Sequence, residues 1–344
     1  MQRLLSVALL LGACTLTPAL ANDTTAELGT GGLIFITTDQ LKMKSEDLFV
    51  SPTLVKVTYE FENLTDKALD VLVAFPMPDI EGSGDFNVAV PDRESDNMFG
   101  FKTTFNGEPV EATLHQQAFA FNLDQTAALE ALGIPLTPFG ERTRELIQEL
   151  DEDAIQKLLH LGLVIPMEYG DGNDNWTTYY EPVWTLKSTY SWEAHFAPGE
   201  TAEVVHSYTP SVGGTVAVTF LAPPDEYGDR AADYKKKYCT DDSFIGAVKK
   251  TLASPEEYYS APYYESWITY IWSTGNNWAG PIEDFSLTID KGDAKNLVSF
   301  CWDGEVKKIG PTTFQMTAKD WYPPYGRELD ILILDHIEPE GAGG

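Results

Sequence analysis

Apolar and polar positions alternate with a period of two over most of this chain. In Leu54 to Phe61, Val55, Val57, Tyr59 and Phe61 fall on one face and Lys56, Thr58 and Glu60 on the other, the pattern of a half-exposed strand. Gly32 to Ile36 is a buried-type run. Asn63 to Lys67 reads as a turn, with Asp70 to Phe75 as the partner strand ending at Pro76-Met77-Pro78, where a missing backbone donor is tolerated. Phe99 to Phe105 and Glu108 to Leu114 flank Asn106-Gly107, the strongest short-range hairpin signal. From about Gln117 the period becomes helical. Asp124 to Leu132 is stopped by Gly133, and Glu141 to Leu150 and Asp153 to Leu161 follow. Asp124 or Thr126, and Asp151, are the candidate caps. Leu146, Leu150, Ile155, Leu158 and Leu159 supply the apolar stripe.

Strand periodicity returns at Trp184 to Glu193 and at Thr201 to Tyr208, joined across Pro198-Gly199, and again at Val216 to Leu221. A helix is expected from Asp241 or Asp242 to about Leu252. The strands Trp267 to Trp272, Asp284 to Ile289, Leu297 to Trp302, Thr313 to Ala318 and Leu329 to Leu334 complete the chain. The fold class is therefore mainly β, with β-sandwich-like regions and a helical insertion, α+β overall. The regions expected are an N-terminal β region at 22–116, the insertion at 117–163, a C-terminal β region with one helix at 164–336, and a disordered tail at 337–344.

The first 21 residues read as a secretory signal: Arg3, an apolar run from Leu4 to Leu11, then Ala19-Leu20-Ala21 before Asn22. The run is too short to span a bilayer, and no later stretch is apolar enough, so no transmembrane segment is expected. Leu11-Gly12-Ala13-Cys14 resembles a lipoprotein box, which would lipidate Cys14 instead, but it leaves an unusually short signal. Cleavage before Asn22 puts the protein in the periplasm or outside the cell.

Removing residues 1–21 discards one base, Arg3, and no acid. That leaves 53 acids against 22 bases, a charge of about −31. Such a chain repels nucleic acid and anionic lipid. The two cysteines after the signal, Cys239 and Cys301, are expected to form a disulfide in an oxidising compartment.

Asn22-Asp23 with Ala26 to Gly29, Ser45 to Leu48, and Phe75 to Ile80 together resemble a family of exported bacterial proteins. So do His206 to Pro210 with Gly213-Gly214, and Asn277-Trp278 with Gly280 to Ile282. This is the domain-of-unknown-function family numbered forty-four twenty-four. The resemblance covers nearly all of the mature chain and implies a periplasmic or secreted location, with no activity attached. More faintly, Val57 to Pro78 is similar to the vault/inter-α-trypsin β-sandwich domain, a fold analogy from which no function follows.

Motifs of chemistry are few. The chain has no HExxH, CxxC, GxSxG, P-loop or dinucleotide loop, and no cofactor is expected. Asp171-Gly172-Asn173-Asp174-Asn175 has the composition of a calcium loop, but a calcium hand needs Gly and Glu where Trp176 and Pro182 stand. An Asx-rich turn is the favoured account of it, so Asp171, Asn173, Asp174 and Asn175 are metal candidates only outside the hand geometry. His195 and His206 would share a face if Phe196 pairs with Thr201, but about 13 Å apart at ~3.3 Å per residue, too far for one ion.

Aromatics gather at Tyr258 to Trp272 and at Trp321 to Tyr325. Trp267, Tyr270, Trp272 and Trp321 are the candidate ligand-binding residues, a sugar platform with acids nearby, against the alternative of a strand buried on both faces. The leading expectation is a non-enzymatic extracytoplasmic binding or interaction protein whose partner is an unknown protein or glycan. A glycan-binding or glycan-active protein using segment 258–272 and a calcium-dependent adhesion or assembly factor are the alternatives.

Overall fold

Alternation sets the sheets. In Val55–Asn63 the residues Val55, Val57, Tyr59 and Phe61 are buried while Lys56 and Glu60 face solvent. A computed structural model describes residues 23–29, 32–82, 88–93, 95–170, 175–224, 228–254 and 257–337. The signal segment with Cys14, and the tail from residue 338, lie outside the described residues.

Three sheets share one apolar core. The eight-stranded sheet runs, edge to edge, Lys307–Lys308, Thr313–Trp321, Ile282–Asp290, Leu41–Val50, Val55–Asn63, Thr201–Tyr208, Lys102–Phe105 and Glu108–Val110. Its one parallel pair joins Ile282–Asp290 to Leu41–Val50, so strands from early and late in the chain lie side by side. The seven-stranded sheet is built on Thr113–Ala120, Thr185–Phe196, Leu69–Pro76, Thr24–Gly29 and Gly32–Ile36, with short strands at its margin. The five-stranded sheet orders Leu297–Phe300, Leu329–His336, Tyr263–Tyr270, Val212–Thr215 and Val88–Ala89. Phe61, Phe75, Trp192, Tyr270 and Ile331, drawn from all three, belong to one buried cluster. The chain is mainly β with a helical insertion.

The helices of that insertion are Thr126–Glu130, Glu141–Gln148 and Glu152–His160. Asp151 caps the third, accepting the Ala154 N–H at 2.9 Å. Their apolar stripe centres on Leu129, Ile147, Ile155 and Leu158, which pack against Ala118 and Trp184 of the β structure. The Trp184 indole N–H donates to the Leu136 carbonyl at 2.6 Å, which ties the insertion to the sheet. The Asn106-Gly107 turn forms as expected, with φ of 50° and 81° at its two residues and Phe105 opposite Glu108.

Two pairings differ from the sequence expectation. Thr185–Phe196 and Thr201–Tyr208 do not form a hairpin: the first pairs with Leu69–Pro76 and the second with Val55–Asn63, in different sheets. For the same reason Leu69–Pro76 does not pair with Val55–Asn63. At both turns the chain crosses the core instead of folding back, because both strands have a buried face and facing sheets bury both. Val216 to Leu221 is not a strand: only Val212–Thr215 is. Arg230–Tyr238 is a helix that the periodicity reading did not find.

Candidate functional site

The Tyr263–Tyr270 strand is buried on both faces, and the two faces have different fates. Ile268 and Tyr270 enter the shared core, where the Tyr270 hydroxyl lies 3.1 Å from that of Tyr59. Tyr263, Glu265, Trp267 and Thr269 face the other way, beneath the helices Arg230–Tyr238 and Asp242–Lys249. Asp229 caps the first helix through the Ala232 N–H at 3.1 Å, and Asp241 caps the second through the Phe244 N–H at 2.7 Å. Tyr234 and Tyr238, four apart, form the first helix's apolar stripe; their rings are 5.2 Å apart, and Tyr234 stacks on Phe220 at 5.4 Å. The helix ends at Cys239, left-handed at φ 54°, and a Cys239–Cys301 disulfide with α-carbons 5.1 Å apart fastens that end beside Leu297–Phe300.

Between this helix and the sheet opens a groove of about 880 Å³. Trp267, half-buried, lines it from the sheet side, and Tyr234 and Tyr238 line it from the helix. Glycine makes room for that indole: Gly213 pairs with Trp267, and a Cβ built on Gly213 would sit 1.8 Å from the indole nitrogen. Lys236, Lys237 and Arg327 line the groove together with Glu328 and Asp330. Asp330 accepts the Thr269 hydroxyl at 2.7 Å and lies 3.7 Å from the Lys237 ammonium. Both oxygens of Glu328 are engaged: Oε1 by the Ser273 hydroxyl at 2.5 Å, Oε2 by the Trp272 and Ser273 N–H groups at 2.9 and 3.2 Å. Burial raises both carboxyls above their ordinary values, with these donors opposing it.

Below the groove Glu265 is fully buried and accepts from the Tyr234 hydroxyl at 2.7 Å, the Thr219 hydroxyl at 2.9 Å and the Thr219 and Phe220 N–H groups. Burial raises its pKa too, and the four donors counter that. Glu265 reaches no solvent, so it positions Tyr234 and cannot meet a ligand. With Glu328 turned to the backbone as well, the arrangement suits binding through an aromatic face and a charged rim.

The four aromatic candidates separate. Trp267 lines the groove and Tyr270 is core. Trp272 and Trp321 come together, rings 5.2 Å apart, in a cluster with Phe285 and Trp302. Arg327 joins that cluster to the groove: its carbonyl accepts the Trp272 indole N–H at 2.8 Å. Lys236, Lys237 and Tyr234 were not among the sequence candidates, because their helix is short and mostly polar. The Asp229 cap and the Tyr234/Tyr238 spacing are the signals that mark it.

The histidine pair does not share a face. His195 is exposed and lies 2.6 Å from Asp70, whereas His206 is fully buried with its Nε2 3.0 Å from both oxygens of Asp23. Rings of Tyr59, Phe75, Phe101 and Trp192 surround His206 at 4.9–5.7 Å. Of the calcium candidates, Asp171, Asn173 and Asp174 lie outside the described residues, and Asn175 is exposed at the end of the Trp176–Pro182 strand. Among the described residues there is no cluster of three or more metal-ligating side chains. Nor, among them, is any helix long and apolar enough to cross a membrane.

No curated protein matches the chain significantly. Among solved structures it is similar to a "putative nutrient binding protein" from Legionella pneumophila, at 14% identity and a TM-score of 0.41, over 92% of this chain and 70% of that one. None of the comparisons supports the fainter likeness to vault/inter-α-trypsin domains. Residues 21–332 match the family described as a domain of unknown function, DUF4424. The expected membership holds over nearly the whole chain, which belongs to the DUF4424 family.

Proposed function

We propose that this protein is an extracytoplasmic binding protein that holds a saccharide in the groove beside Trp267. The observation that carries the reading is a groove of about 880 Å³ with a half-buried indole on one wall and charged groups of both signs at its rim. Ligand sites fall in the range of about 300–1,000 Å³ and pair an apolar surface with a few placed polar groups. A sugar ring presents C–H groups to an indole and hydroxyls to charged partners at the same time. The secretory features of residues 1–21 supply the compartment, and the disulfide suits it.

The test is a glycan array followed by calorimetry on the chain from Asn22 onward, with Trp267→Ala as the paired variant. Saccharide binding that falls at least tenfold in Trp267→Ala, with an unchanged circular dichroism spectrum, is expected. Binding that survives the substitution would move the site elsewhere, to the Trp272/Trp321 cluster first.

A further inference from the structure

Cations are scarce here and unevenly placed. The chain carries 23 lysines and arginines against 53 acids, yet Arg230, Lys235, Lys236, Lys237, Lys249 and Lys250 fall within residues 230–250. The first four ride on the helix that walls the groove, whose only acid is Asp233. Across the groove stands Arg327.

Of the three acids that line the groove, Glu328 and Asp330 are engaged within the protein, while Asp233 on the helix is exposed. Both oxygens of Glu328 face Trp272 and Ser273, and Asp330 holds Thr269 and Lys237. The cations are not matched in the same way. Lys236 is exposed, and no carboxylate among the described residues lies within ion-pair distance of it. Among the described residues the ion-pair partner of Arg327 is Asp303, at 3.5 Å and itself largely exposed. An ion pair this exposed contributes little, so a ligand's anion can compete with Asp303 for the Arg327 guanidinium. The chain as a whole is strongly acidic, so the cations of this helix form a local attractor for an anion.

We propose that the ligand of this groove is an anionic saccharide, its carboxylate, sulfate or phosphate held between Arg327 and Lys236 while the ring lies on Trp267. This rests on the saccharide reading above and adds the charge. Arg327 and Lys236 then decide between charged and neutral sugars, and Trp267 serves both.

Titrating an oligogalacturonate, its fully methyl-esterified form, dextran and dextran sulfate into the chain from Asn22 onward tests this. The ester keeps the sugar and removes the charge. The charged oligomers should bind at least tenfold tighter than their neutral counterparts, with an advantage that shrinks as salt rises. Lys236→Gln, at an exposed position that folding does not need, and Arg327→Gln should each erase most of that advantage. Trp267→Ala should weaken every form that binds. Whether carboxylate or sulfate binds tighter identifies the anion. Neutral and charged oligomers bound equally, both through Trp267, would overturn the anionic assignment and leave the saccharide reading standing. If neither kind binds, both fall together.

Discussion

Gly213 shows how far one residue's side chain, or lack of one, shapes the groove. A Cβ there would occupy the space of the Trp267 indole, so the indole must swing away or the strands must part. Gly213→Ala is therefore expected to cost about 1–3 kcal/mol, the usual range for an overpacked site, and to shift tryptophan emission to the red as Trp267 meets water. Unchanged melting and emission would mean that the indole is not held there. The Asp23–His206 pair is a second single-residue dependency. Burial pushes the Asp23 carboxyl up and His206 opposes it, and both side chains have no exposure. Removing Asp23 leaves the His206 Nε2 without its carboxylate in an apolar shell, so Asp23→Ala should lose about 1–3 kcal/mol by thermal or urea denaturation. Nothing in the sequence pairs these two. They stand 183 positions apart, and alternation says nothing about a partner at that distance.

At the scale of elements, what was legible was local. Asn106-Gly107, the Asp151 and Asp241 caps and the alternating strand Val55–Asn63 each depend on a few neighbouring residues, and each is where its pattern put it, whereas Val216 to Leu221 is not a strand. Partnership between strands was not legible, because alternation says which face is buried and not which sheet buries it. Pro198-Gly199 marks a turn equally well whether the chain folds back or crosses to the facing sheet. The site was legible in part for the same reason. Trp267 stood out by type, but Lys236 and Arg327 are brought to it by the disulfide-fastened helix and by a turn near the chain's end. The Cys239–Cys301 bridge, readable from cysteine count, closes a span of 62 residues. Loop-closure entropy for such a span amounts to up to about 4 kcal/mol. The Cys239→Ser/Cys301→Ser double variant should melt lower by a corresponding amount and lose groove affinity more than its remaining fold would suggest. A double variant that kept full affinity would show that the bridge stabilises the molecule without shaping the groove.

For the molecule as a whole, the formal charge of −30 and a set of buried carboxyls act in the same direction on stability. Glu265, Glu328, Asp330 and Asp335 are all held above their ordinary values of 4.5 or 3.8, in each case chiefly by burial. Between the ordinary and the raised values the native chain binds more protons than the unfolded one. Stability therefore falls as pH rises through that window, and the full cost is present above it. Self-repulsion among surface acids follows the same slope. Groups of the opposite sense come into play lower down. Asp124 is held below 3.8, its partial burial outweighed by hydrogen bonds from Thr126 and Gln117, and Glu283 is held below 4.5 by Lys42 and then Lys44. Their contribution is present above the ordinary values and lost only as pH drops through the lowered ones. Acidifying from pH 8 should thus raise the melting temperature to a maximum just above the ordinary carboxylate range, with a decline beyond it. Salt separates the two causes, since about 1 M shortens the screening length to ~3 Å and removes surface repulsion while sparing buried groups. A slope that persists at high salt and flattens in Asp335→Asn, whose amide can keep the contacts to Ser266 and Asn296 at 2.6 and 2.7 Å, assigns the effect to buried carboxyls. A slope abolished by salt assigns it to the surface. A melting temperature that rises from pH 5 to pH 8 contradicts both.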